Sequence, residues 1–110
     1  MPQDDAYWKT MEIYTEIRHE YRQLIKTDLP PQEADQYIDG SITHAAGAYL
    51  SMATANFYPL ALRVILQRDA KELWPWSEER WDPAISPRRN LIRAAAYIVA
   101  EIERLERDIQ

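Results

Sequence analysis

Residues 32–55, QEADQYIDGSITHAAGAYLSMATA, read as a single helix, and the rest of the chain is organised around it. Pro31 suits the first helical turn, where its missing N–H removes no hydrogen bond. At about 100° per residue, Ile38, Ile42, Ala45, Tyr49, Met52 and Ala53 fall on one arc, the pattern of a helix with one buried side. Asp35 and Asp39 sit at the edge of that arc. A carboxylate turned toward a core has to be paired, protonated, metal-bound or wet, because a lone buried charge is too costly to keep. Gly40 and Gly47, with Ser51 and several alanines, give the helix a thin profile that lets a neighbour approach its backbone. A glycine inside a helix costs about 1 kcal/mol relative to alanine, so a geometric use is implied.

Before it, a first helix is expected from Asp4 or Asp5 as N-cap to about Lys26, with Met1–Asp4 as a frayed end. Tyr7, Met11, Tyr14, Ile17, Tyr21, Leu24 and Ile25 recur at helical spacing as its buried stripe. Glu12, Glu16 and Glu20 climb the opposite face, which reads either as a solvated acidic face or as a face met by a second helix. Thr27–Pro31 (TDLPP) is a turn, since two successive prolines end a helix. The result is a helical hairpin in which Glu16 and Glu20 can approach Asp35 and Asp39. Two such i,i+4 carboxylate pairs suit an all-oxygen site for Mg²⁺ or Mn²⁺. The alternative for Asp35 and Asp39 is compensation of the helix dipole.

Beyond Ala55 the pattern is mixed: from Pro59 the run Leu60, Leu62, Val64, Ile65 and Leu66 reads as a helix or helical turns, with a β-branched strand as the alternative. Trp74-Pro75-Trp76 and Trp81-Asp82-Pro83 place three indoles in a proline-punctuated loop. The loop either folds back on the core or presents Trp74 or Trp76 to a partner or a nucleobase. Ser86-Pro87 is a strong start signal for a last helix to about Asp108. Its expected core line is Leu91, Ala95, Ile98, Ile102, Leu105 and Ile109, widened by Ile92 and Val99. Arg88, Arg89 and Arg93 crowd its first turns, where they can clamp phosphate or pair with the glutamates of the first helix. Glu103 and Arg107 read as an ordinary i,i+4 surface pair. His44 points away from the apolar arc and reads as exposed rather than as a ligand, whereas His19 sits beside the glutamate face.

The whole, residues 1–110, is expected to be one all-α domain: a helical hairpin plus a C-terminal helix in a small bundle, with a Trp/Pro-rich loop before the last helix. At 13.0 kDa the core is modest, so burial of further surface in a homo-oligomer is expected. A net charge of −5 argues against general nucleic-acid binding. The absence of cysteine rules out disulfides and thiolate metal sites. With no leader pattern and no apolar run near the ~18 residues of a membrane span, no membrane is expected and the location reads as cytoplasmic. There is neither a glycine-rich phosphate loop nor a nucleophile constellation.

Arg22-Gln23, Pro31, Asp35, Tyr37, Asp39-Gly40, Ala45-Ala46, Tyr49, the Trp74-Pro75-Trp76 and Trp81-Asp82-Pro83 elements and Asn90–Arg107 together resemble a family of small phage and prophage proteins carrying a WPW motif. Some members are likened to the MazG-like all-α nucleotide pyrophosphohydrolases. The resemblance covers about two-thirds of the chain and implies a phage protein acting in the host cytoplasm, helical and oligomeric. Its implied activity is Mg²⁺- or Mn²⁺-dependent hydrolysis of a nucleoside triphosphate. Glu16, Glu20, Asp35 and Asp39 would then hold the metal and do the catalysis, Arg88, Arg89 and Arg93 would bind the phosphates, and Trp74 or Trp76 would cover the base. The chain departs from the pattern at Ala34 and Ser41, and its nearest approach to the MazG-type ExxE motif, Glu16-Ile-Arg-His-Glu20, is one residue too long. Two other readings therefore stand beside the enzyme: a non-catalytic nucleotide sponge, and an interaction module that binds a host protein through the tryptophan loop.

Overall fold

The computed structural model describes residues 2–108, and among these every regular element is helical. Five α-helices follow in order: α1 (Pro2–Gln23), α2 (Pro31–Ala34), α3 (Ser41–Ala55), α4 (Leu60–Leu73) and α5 (Pro87–Asp108). A π-turn, Leu24–Asp28, closes α1, and a 3-10 turn, Glu78–Arg80, sits in the tryptophan loop. The protein is a small all-α bundle. Met1 and Ile109 lie outside the described residues, and α1 is already under way at Pro2, ahead of the expected cap.

The helix read from 32 to 55 is two helices. Ala34 ends the first, and Gly40, at φ +89°, turns the chain in the left-handed region before α3. Asp39 closes the new start, its Oδ1 accepting from the Ser41 N–H at 3.0 Å and from the Ser41 hydroxyl at 2.6 Å. Ile38, expected in the core, is therefore left in the turn at 76% exposure. From Ile42 on the arc is as expected, with Ile42, Ala45, Tyr49, Met52 and Ala53 all buried.

α5 is the central element. It lies between α1 and α3, and α4 packs on the far side of α3. The pairs Glu16–Arg88 and Glu20–Arg93 show α1 running parallel to α5. Thr43–Glu101 and Tyr49–Tyr97 show α3 running antiparallel to it. The hairpin of α1 and α3 is thus opened, with α5 between its arms. The molecule is a slab of 44 × 41 × 22 Å.

Two faces are turned from their expected directions. On α1 the tyrosine stripe fails at its N-terminal end, where Tyr7, Met11 and Tyr14 are exposed, while Glu16, Glu20 and Leu24 turn toward α5. The arginines at the start of α5 draw the acidic face inward. On α5 the buried side is Asn90, Ala94, Tyr97, Ala100 and Arg104, with Ile92 and Ala96. Its alanines meet Ala45, Ala46 and Ala48 of α3 in a single core cluster, so the two backbones come close and small side chains fill the gap. Leu91, Ile98, Ile102 and Leu105, the expected core line, point outward instead.

Candidate functional site

The three indoles fold back on the bundle. Trp74 is buried, and its Nε1 donates to the Ser77 carbonyl at 2.9 Å. Its ring lies edge-on to Tyr49 at 5.7 Å and 5.2 Å from Trp81. Trp76 packs against Tyr37 at 5.1 Å and lies under the Arg80 guanidinium at 5.0 Å. Tyr49 and Tyr97 stack at the centre with planes 14° apart. Tyr49 also fixes the loop, its hydroxyl oxygen accepting from the Asp82 N–H at 3.2 Å. Trp74 and Trp76 thus serve as core and loop anchor in this structure, Trp74 buried and Trp76 half-buried against the core cluster.

The arginines expected to clamp phosphate are held by the first helix. Arg88 meets Glu16 at 2.7 Å, Arg89 meets Glu20 at 2.6 Å and Glu16 at 3.5 Å, and Arg93 lies 3.6 Å from Glu20. Arg93 also donates to the Asp82 carbonyl, tying the tryptophan loop to α5. The Arg88 hydrogen bond holds the Glu16 carboxyl below its ordinary range. This is the pairing alternative read from the sequence.

The four carboxylates are not brought together. Glu16 and Glu20 stand beside the first turns of α5. Asp35 stands at its other end, where Arg107 holds it, and Asp39 is engaged by Ser41, whose hydrogen bonds lower its pKa. Residues 93 and 107 of one helix are about 21 Å apart along the axis at about 1.5 Å per residue, far beyond any shared coordination shell. Among the described residues no group of three or more His, Asp or Glu is arranged to hold a metal ion. The residues named for Mg²⁺ or Mn²⁺ do not fit that ion as a set.

What the structure does build is a cleft of about 110 Å³ between the end of α1, the middle of α5 and the tryptophan loop. Arg80 and Arg93 line it, together with Glu20, Asp82, Tyr49 and Tyr97. Tyr97 is 6% exposed, and its hydroxyl has no hydrogen-bond partner among the described residues; burial pushes its pKa up, so it stays a neutral donor. Sequence reading passed over Arg80, Asp82 and Tyr97. Only the folded loop brings them together, and no spacing signals that.

The other feature is the outer face of α5. Leu91, Ile98, Ile102 and Leu105 are 45, 48, 51 and 46% exposed, with Ala95 and Val99 half-buried beside them. Comparison of the chain with family models, with curated proteins and with solved structures finds no match.

Proposed function

We propose that this chain is an interaction module whose working surface is the outer face of α5. The observation that carries the reading is the row Leu91, Ile98, Ile102 and Leu105, each about half exposed in the middle of the helix. Singly exposed aliphatics are ordinary, but a continuous line of them on a central helix marks a surface that is covered when the protein works. The interaction surface is then α5 and not the tryptophan loop, whose indoles are spent on the core. No catalytic role is assigned to Glu16, Glu20, Asp35 or Asp39, because each has a structural partner.

The test is a double variant, Ile98→Lys with Ile102→Lys. Lysine at 98 lies three residues before Glu101 and lysine at 102 four before Glu106, so the helix itself gains support. The wild type should either exceed 13.0 kDa in solution or bind an apolar fluorescent dye, and the variant should do neither at unchanged helicity. A wild type that is monomeric and dark to the dye would overturn the reading.

A second reading, binding of a phosphate-bearing ligand such as a nucleotide, is favoured by the unpartnered Tyr97 hydroxyl beside Arg80 and Arg93. Titration calorimetry with pyrophosphate, nucleoside triphosphates and cyclic nucleotides, with and without Mn²⁺, tests it. Heat that persists in Tyr97→Phe would place the binding elsewhere.

A further inference from the structure

The cleft between α1, α5 and the tryptophan loop is lined at its core side by two phenols. Tyr49 of α3 and Tyr97 of α5 stack with ring centroids 5.7 Å apart, and both are more than nine-tenths buried. The Tyr49 oxygen accepts from the Asp82 N–H at 3.2 Å, but its proton meets no acceptor among the described residues. The Tyr97 hydroxyl has no partner there at all. Burial raises the pKa of both, so each keeps its proton. Buried donors are almost always satisfied, and here two of them share one space without an acceptor. What enters the cleft has to bring oxygen acceptors.

Two guanidinium groups line the same space, Arg80 from the loop and Arg93 from α5. Main-chain carbonyls hold them, that of Asp28 for Arg80 and that of Asp82 for Arg93, which fixes each group without neutralising it. Their nearest carboxylates, Glu33 at 3.5 Å and Glu20 at 3.6 Å, lie beyond the distance of a direct charged hydrogen bond, and Glu20 is engaged by Arg89 at 2.6 Å. Four donor groups therefore surround one small space. That is more than the two oxygens of a carboxylate use, and it suits the three unbridged oxygens of a phosphoryl group. At about 110 Å³ the cleft is well under the ~300 Å³ at which sites for drug-sized ligands begin. A head group of a few atoms fits, and a nucleoside stays outside.

Resting on the reading of this cleft as the site of a phosphate-bearing ligand, we infer that it takes a single terminal phosphoryl group, bound by Tyr49, Tyr97, Arg80 and Arg93, and does not read the base attached to it. The two phenols give the site its selectivity, because they supply the donors that only an incoming oxygen satisfies. Asp28 and Asp82 also line the cleft with exposed side chains, and their charge opposes an anion on its way in. Binding is thus weak and reversible. Removing the Asp82 charge strengthens it, the reverse of what a cation-binding cleft would show.

Titration calorimetry with pyrophosphate, ATP, GTP and CTP, and with succinate as the carboxylate, is run on the wild type, Tyr97→Phe and Asp82→Asn. Tyr97→Phe keeps the ring and removes only a hydroxyl that has no partner, so its unfolding midpoint should equal or exceed that of the wild type. Pyrophosphate and the three nucleotides should bind within about threefold of one another, lose about tenfold in Tyr97→Phe and gain several-fold in Asp82→Asn. A nucleotide that binds while pyrophosphate does not would put recognition on the base, overturning this inference and leaving a phosphate-bearing ligand standing. Unchanged affinity in Tyr97→Phe would move the site elsewhere with the same consequence. Succinate bound as tightly as pyrophosphate would overturn the choice of a phosphoryl group, and weaker binding in Asp82→Asn would overturn the anion. No heat from any of these ligands would remove both the inference and the reading beneath it.

Discussion

Arg107 holds Asp35 with two donors, Nη2 at 2.7 Å and Nε at 2.9 Å, both on the same carboxylate oxygen. That contact joins the turn before α3 to the last turns of α5 and keeps the Arg107 pKa above its ordinary value. Asp35 is half exposed, so solvent screens the pair and its worth is small. Asp35→Asn is expected to cost under about 1 kcal/mol in urea unfolding. Mn²⁺ should move the melting temperature of wild type and variant alike; a rise in the wild type alone would show a metal at Asp35.

Asn90 is fully buried and grips one residue with both ends of its amide: Oδ1 accepts from the Ala84 N–H at 2.8 Å, and Nδ2 donates to the Ala84 carbonyl at 2.9 Å. It fixes the path from the tryptophan loop into α5. Asn90→Ala leaves both backbone groups without that partner and should cost about 1–3 kcal/mol. Equilibrium denaturation measures it, and a loss under a few tenths would show that water replaces the amide.

The tryptophan loop should behave as core. Trp74→Ala removes a ring packed on Tyr49, Trp76 and Trp81, and is expected to cost about 3–5 kcal/mol with collapse of the near-ultraviolet circular dichroism. Tyr49→Phe keeps the ring and loses only the bond to Asp82, a change of about 1 kcal/mol. Denaturation of both variants reads the two figures, and equal effects would place the energy in the hydroxyl and not in the packing.

Four of the seven tyrosines, Tyr21, Tyr37, Tyr49 and Tyr97, hold their protons more tightly than usual, in each case chiefly because burial disfavours the phenolate. Tyr21, which also donates to Glu103, is pushed up to about 12. With the folded pKa raised above the unfolded 10.0, its stabilising share is whole below pH 10.0 and is lost as pH rises toward about 12. Absorbance titration at alkaline pH should show a late phase that coincides with loss of helicity, and Tyr21→Phe should weaken the pH dependence of stability in that window.

The helix class was legible because apolar spacing, Pro31 and Ser86-Pro87 are local signals, and α5 begins at Pro87 as they require. The direction in which each helix faces was not. On α5 the aliphatic line looked like core, yet alanines take the buried side because closeness to α3, and not side-chain size, decides the packing there. On α1 the acidic face turned inward because its partners, Arg88, Arg89 and Arg93, come from residues seventy positions later. The break at Gly40 was signalled by Asp39-Gly40-Ser41, a capping turn that the continuous apolar arc hid.

The most direct measurement is the molar mass of the chain by sedimentation velocity from low to high micromolar concentration, beside the Ile98→Lys, Ile102→Lys variant. The account predicts that the wild type exceeds 13.0 kDa or, where it stays at 13.0 kDa, binds an apolar dye, and that an equally helical variant does neither. Equal masses at every concentration together with no dye bound by the wild type would contradict it.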